Sequence, residues 1–217
     1  MNQARSQVIR ELFGSPTATL TFIEKYIVAW VLFALAFGSY LFVGKLSLPN
    51  AKLSLMTPLD HAIPFWAWTV WFYLGLFIVV FHLSVWSIKS RAVYARAMAS
   101  LLLAWSVAYV FFIFFPSAYP RPDVAQVPGL TGWVMQWLHG VDRPNNTFPS
   151  LHVADMALVA LAAWQDNRRR GTVILALSAL PILAILTTKQ HYIADLIGGL
   201  VVAFVAHWMA FRAGVAR

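Results

Sequence analysis

The chain has 217 residues, 60% of them hydrophobic and 11% charged, with a net charge of +8 and no cysteine. A soluble domain carries roughly 25% charged residues, so this composition excludes one and points to an integral membrane protein. The lack of cysteine excludes disulfides, thiolate metal sites and thiol catalysis, and in so apolar a chain the positive charge reads as membrane sidedness rather than as a nucleic-acid surface.

At about 20 apolar residues per span, the length allows one domain of about six spans. Residues 1–21 are expected to be a cytoplasmic N-terminal segment, with Val8, Ile9, Leu12 and Phe13 forming a face for a short surface helix. The first apolar run covers about 22–44. Ala34-Leu35-Ala36 has the small-residue look of a signal cleavage site, but the run continues through Leu41-Phe42-Val43, so an uncleaved span is expected. Residues 45–63 read as a loop, with Pro49, Pro58 and Asp60 in it. A second span is expected over about 64–87, opening on Pro64 with Trp66, Trp68 and Trp71 at the interface. The third, about 93–115, stops before Pro116. In the polar stretch 116–148, Leu130, Trp133, Val134, Trp137 and Leu138 recur at helical spacing and predict a short helix lying in the interface. Spans four to six follow at about 149–165, 172–188 and 193–212, with a cytoplasmic tail at 213–217. The fold class is thus an all-α integral membrane protein, a bundle of six transmembrane helices with a short interfacial helix between spans three and four.

Alternating the span ends places Arg5, Arg10, Lys25, Lys89, Arg91, Arg96, Arg168, Arg169, Arg170, Arg212 and Arg217 on one side. Lys45, Lys52, Arg121, Arg143 and Lys189 fall on the other. The positive-inside rule makes the first side cytoplasmic, and with it both termini. The expected location is the cell inner (cytoplasmic) membrane, with the other side extracytoplasmic.

Two polar islands then lie at extracytoplasmic helix ends: Asn145–Asp155 and Thr187–Asp195. His191 and Asp195 are four apart, so a helix puts them on one face. A carboxylate on one imidazole nitrogen fixes the tautomer and makes the other a better nucleophile or base; an interfacial His beside a helix-capping Asp is the plainer reading. His152 sits near the start of a helix capped by Ser150, whose free amides favour an anion. It can donate a proton to a leaving oxygen, or simply bond to backbone. Arg121, between Pro120 and Pro122, sits on a stiff backbone and can grip phosphate through two bonds. Lys189 and Arg143 invite the same reading, and lipid headgroups are the alternative partner for all three. Asp155, and less directly Asn146, are supporting candidates, because an acid inside a span is costly and by default functional. His82, His139 and His207 read as structural or interfacial. No HExxH or closely spaced ligand set occurs, so neither a catalytic metal nor a cofactor is expected.

These residues resemble the type 2 phosphatidic acid phosphatase (PAP2) superfamily. Phe148-Pro149-Ser150-Leu151-His152 looks like its second motif, His191-Tyr192-Ile193-Ala194-Asp195 like its third, and Arg121-Pro122 like the end of its first. The chain departs from the pattern at Phe114, where the first motif usually has Lys, and at Leu151, which replaces Gly. The Ser-Arg pair that usually leads the third motif is missing, and the Thr-x-x-x-His-Tyr-x-x-Asp form is similar to the inositol phosphorylceramide synthase and sphingomyelin synthase branch. The resemblance implies a metal-independent reaction in two steps on a lipid phosphate of phosphatidic acid or polyprenyl type. His191 would attack phosphorus to give a phosphohistidine, oriented by Asp195. His152 would protonate the departing oxygen. Arg121, with Ser150 assisting, would hold the phosphoryl oxygens, while Lys189 and Arg143 would stand in for the missing cations. Water as acceptor makes the activity a phosphatase, and a lipid or sugar hydroxyl makes it a phosphotransferase. A small transporter is a reading of another class, and it requires ionisable residues lining a path across the bilayer.

Overall fold

The computed structural model describes residues 21–212 apart from 48 and 50. The expected surface helix at the N-terminus and the tail 213–217 lie outside the described residues. The long helices are α1 (Phe22–Ser47), α3 (Phe77–Ser87), α4 (Arg91–Phe114), α6 (Leu151–Asp166), α7 (Arg168–Thr187) and α8 (Ile193–Arg212). A short α2 (Pro58–Ala62) and α5 (Gly129–Val141) lie between them. A 3-10 turn (Ala67–Thr69) and a π-helical segment (Trp71–Leu76) lead directly into α3. Among the described residues there is no strand, only isolated bridges that tie Leu53 to Ser117 and Ala118 to Asn145.

Five helical stretches among the described residues are long and apolar enough to cross a membrane: Phe22–Ser47, Ala67–Ser87, Arg91–Phe114, Arg168–Thr187 and Ile193–Arg212. The remaining expected span, α6, has 16 residues, about 24 Å at 1.5 Å per residue. It is the inner helix of the bundle, with Ala154, Leu158, Ala160 and Ala162 all but fully buried. A helix sheathed by protein does not need the apolar surface of one facing lipid. The outer helices do, and they turn Ile23, Leu35, Ile78, Val110, Leu183 and Phe204 outward. Lipid is as apolar as leucine, so close packing rather than the hydrophobic effect holds such helices together, and small residues permit it. The core is accordingly rich in alanine, with Ala104 and Ala108 on α4 and Ala203 and Ala206 on α8. At Gly199 a Cβ would lie 2.5 Å from the Ser150 carbonyl oxygen, so only glycine lets α8 meet the start of α6.

Polar residues close the helix ends. Ser90 caps α4, Ser150 caps α6 and Asn167 caps α7, each accepting from a backbone N–H three residues on. Lys25 is buried, and its Nζ donates to the carbonyls of Trp86 (3.3 Å) and Ile88 (3.0 Å) at the end of α3. Asp166 accepts from the backbone N–H groups of Lys89 and Ser90 and pairs with Arg170 at 3.1 Å. The basic cluster therefore gathers at the end of the bundle opposite His152, which opens α6 where Asp166 closes it.

Two local expectations differ. Residues 64–66 are not helical: Trp66 N–H donates to the Thr187 carbonyl (2.9 Å), which ties this stretch to the end of α7. The loop before it contains α2, where Thr57 and Asp60 form a reciprocal capping box around Pro58. The helix expected around Trp133 is present as α5. It buries Val134, Met135 and Leu138 and exposes Leu130, Trp133 and Trp137, so both of its faces are largely apolar.

Candidate active site

α7 ends with Lys189 in the left-handed conformation (φ 55°), where glycine is the usual residue. The N–H groups of Gln190 and His191 both fold back onto the Ile185 carbonyl, at 3.0 and 3.2 Å. This tight exit turns His191 inward, and α8 begins two residues later with Asp195 in its first turn.

The geometry is a chain of side chains. Asp195 Oδ2 lies 3.4 Å from His191 Nδ1, and His191 Nε2 lies 3.3 Å from His152 Nδ1. His152 Nε2 lies 2.7 Å from the Tyr73 hydroxyl. A proton on His191 Nδ1, facing the carboxylate, leaves a lone pair on Nε2. Tyr73 can donate to neutral His152 or accept from it when it is protonated, since a hydroxyl does both. Asp195 is fully buried and further fixed, with Oδ2 accepting from Tyr192 N–H (3.0 Å) and Oδ1 from the Tyr119 hydroxyl (3.2 Å). Burial, and then the Asp195 carboxylate, push the Tyr119 hydroxyl well above its usual range, so it remains a donor.

The structure thus brings His152, His191 and Asp195 together, and it joins the segments that carry them. Ser150 N–H donates to the Asp195 carbonyl (3.1 Å), while the Ser150 hydroxyl accepts from Val153 N–H. Tyr192 OH donates to the Pro120 carbonyl (2.8 Å), drawing the Arg121 loop against the start of α8. Arg121 is nearly buried and engages Asp142, through the carbonyl and at 3.4 Å through the carboxylate, and also the Arg143 carbonyl. Asp142 in turn accepts from Tyr40 OH at 2.5 Å and lines a cavity together with His152 and His191. Arg121 is therefore linked to the wall of this cavity through Asp142, its present partner.

The other candidates are not joined to this row by hydrogen bonds, although Asn146 and Asp155 line the same cavity. Lys189 Nζ donates to the carbonyls of Asp60 (2.7 Å) and Ile63 (2.6 Å), and burial draws its ammonium below the ordinary lysine value against the pull of Asp60. Arg143 is exposed, with no side-chain hydrogen bond among the described residues. Asn146 is buried, with φ 59°, and its Oδ1 accepts from Ser47 at 2.6 Å. Asp155 bonds to Trp105 Nε1 (2.8 Å), not to His152. His82, His139 and His207 do not line the cavity. Among the described residues, no three or more His, Asp or Glu side chains are placed to hold an ion.

Sequence reasoning missed Tyr73, Tyr119 and Asp142 and undervalued Asp60. Asp60 is buried; its Oδ1 accepts from Ile193 N–H (2.8 Å) at the start of α8 and its Oδ2 from Thr57. Burial pushes its carboxyl up, but the bonds from Ile193 and Thr57 hold it, on balance, below its ordinary value. The Thr-Pro-Leu-Asp pattern of a capping box was the available signal; nothing in the sequence marked Tyr73.

A family model described as the PAP2 superfamily matches residues 50–209. That stretch runs from the loop before α2 almost to the end of α8 and contains Tyr73, Arg121, His152, His191 and Asp195. No curated protein and no solved structure matches the chain.

Proposed function

The chain belongs to the PAP2 superfamily, and on that premise we propose that it is a metal-independent phosphatase of lipid phosphates working through a phosphohistidine. The observation that carries this is the row Asp195–His191–His152–Tyr73 at the head of a largely apolar cavity. His191 Nε2 attacks phosphorus and forms the N–P bond while the P–O bond to the lipid breaks. Protonated His152 gives its proton to the departing lipid oxygen. Water then attacks phosphorus, giving its proton to His152, and the N–P bond breaks to release phosphate. Asp195 holds the His191 tautomer and stabilises its positive charge in the intermediate. Arg121 turns from Asp142 to the phosphoryl oxygens, with the amides that open α6 and Ser150 beside it. Lys189 serves the loop rather than the phosphate, and exposed Arg143 attracts the anionic headgroup from outside.

In this reading α6 completes a six-span bundle in the inner membrane. α5 lies in the interface on Leu130, Trp133 and Trp137, and the basic end faces the cytoplasm. A phosphotransferase is the second reading. It is favoured by the burial of His191 and by the apolar walls beside it, which suit a lipid hydroxyl as acceptor.

The test uses purified protein in detergent with phosphatidic acid and a polyprenyl phosphate, each with and without diacylglycerol or ceramide. Phosphate release is expected, unchanged by EDTA. His152→Ala should slow it by roughly 10²–10⁴-fold, as for loss of a general acid, and His191→Ala by at least as much. New phospholipid in place of free phosphate would favour the transferase, and full activity in both variants would sink the mechanism.

A further inference from the structure

The cavity below the histidines has a volume of about 480 Å³, within the roughly 300–1,000 Å³ of small-molecule sites. Its walls are mostly aromatic and aliphatic, with Phe33, Phe37, Phe77 and Ile78 among them. Asp155 interrupts this lining. It lies three residues after His152 on α6, so about 4.5 Å deeper along the helix. Oδ1 accepts from Trp105 Nε1 at 2.8 Å, while Oδ2 has no protein donor among the described residues. Both residues line the cavity.

Trp105 does not account for a carboxyl here. An indole N–H needs one acceptor, which a neutral carbonyl or hydroxyl supplies, whereas an acid within a bundle is expensive. When an apolar ligand fills the cavity and displaces water, Oδ2 is left without a partner unless the ligand brings one. The required position is also set. Three bonds of an extended chain span roughly 3.3–3.8 Å, so a group three or four bonds from an ester oxygen at His152 comes level with Asp155.

We propose that this cavity binds the backbone and chain of the lipid substrate, and that Asp155 selects lipid phosphates carrying a hydroxyl or N–H donor three or four bonds from the phosphoester oxygen. Sphingoid-base phosphates and lysophosphatidic acids have such a group; phosphatidic acids and polyprenyl phosphates do not. Asp155 acts here as a specificity residue that touches the substrate away from the reacting atoms. The inference rests on the phosphatase reading for where the phosphate lies.

The experiment compares kcat/KM for sphinganine 1-phosphate, oleoyl lysophosphatidic acid, dioleoyl phosphatidic acid and farnesyl phosphate in wild type, Asp155→Leu and Trp105→Phe. The readout is the ratio of donor-bearing to donor-free lipid within each protein, which cancels differences in folded fraction. Asp155→Leu is expected to lower that ratio about tenfold, the loss associated with one hydrogen bond, while Trp105→Phe preserves it. A loss confined to the sphingoid or to the lysolipid supports the inference and identifies the source of the donor. An unchanged ratio in Asp155→Leu, or the same loss in Trp105→Phe, overturns it in favour of a structural bond. Thermal shifts with the same lipids in His191→Ala and in His191→Ala/Asp155→Leu separate the two readings. Asp155-dependent binding with no phosphate released from any lipid by wild type sinks the phosphatase reading alone. Phosphate release without an Asp155-dependent preference sinks this inference alone.

Discussion

At the scale of single residues, the site is a row of hydrogen-bonding groups in which each fixes the next. Tyr73 is its least expected member. Its hydroxyl, 2.7 Å from His152 Nε2, can serve that ring in both protonation states. Tyr73→Phe keeps the packing against His152 and removes only this partner. The expected result is a kcat about tenfold lower with KM nearly unchanged, as for one hydrogen bond to a reacting group. A matching rise in KM with kcat intact would instead assign Tyr73 to substrate binding. The sequence made His191 and Asp195 legible because four-residue spacing in a helix is a geometric statement, and His152 because a Ser-capped helix start is one too. It could not reveal Tyr73, whose inward aim depends on the π-helical Trp71–Leu76 segment; that winding leaves no spacing signature. Lys189 is turned elsewhere for a related reason. Two residues from His191 reads as close, yet its left-handed backbone and its bonds to the Asp60 and Ile63 carbonyls direct it to the α2 loop.

At the scale of elements, the short α2 acts as a clamp on the loop that carries His191. Asp60 caps α8 through Ile193 N–H, and its carbonyl and that of Ile63 hold Lys189, while Trp66 N–H holds Thr187. Asp60→Ala leaves the N–H groups of Ile193 and Thr57 without these acceptors, and should lower stability by about 2–3 kcal/mol together with the proposed activity. The pH dependence follows from the direction of its shift. A carboxyl held below its unfolded value of about 3.9 adds stability above that pH, and loses it as pH falls through the folded value. Wild type should therefore lose melting temperature on acidification below about pH 4, and Asp60→Ala should show a shallower decline. Parallel pH profiles would remove Asp60 from the clamp. Helix positions were readable because long apolar runs separated by polar or proline-bearing stretches, such as the one that begins at Pro116, leave few choices. What was not readable is how the loops between helices pair with one another, since Tyr192 with Pro120 and Tyr119 with Asp195 are tertiary contacts between distant segments.

At the scale of the whole molecule, charge and chemistry divide between the two ends of the bundle. One end holds His152, His191 and Arg121. The other holds Lys25, Lys89 and Arg168–Arg170, some of it tied in by carbonyls and by Asp166. The charge bias across several loops predicts that the histidine end lies outside the cytoplasm, which bears directly on which leaflet supplies the substrate. The lack of cysteine makes this testable without a background. Lys52 and Arg169 are both exposed, at opposite ends and away from the reacting groups. In intact cells, a membrane-impermeant maleimide should label Lys52→Cys and should label Arg169→Cys only after the membrane is opened. Each substitution removes one positive charge among several, so neither is expected to invert the chain. The reverse pattern would put the histidines on the cytoplasmic side and make the inner leaflet the source of the proposed substrate, with the row from Asp195 to Tyr73 itself unaffected.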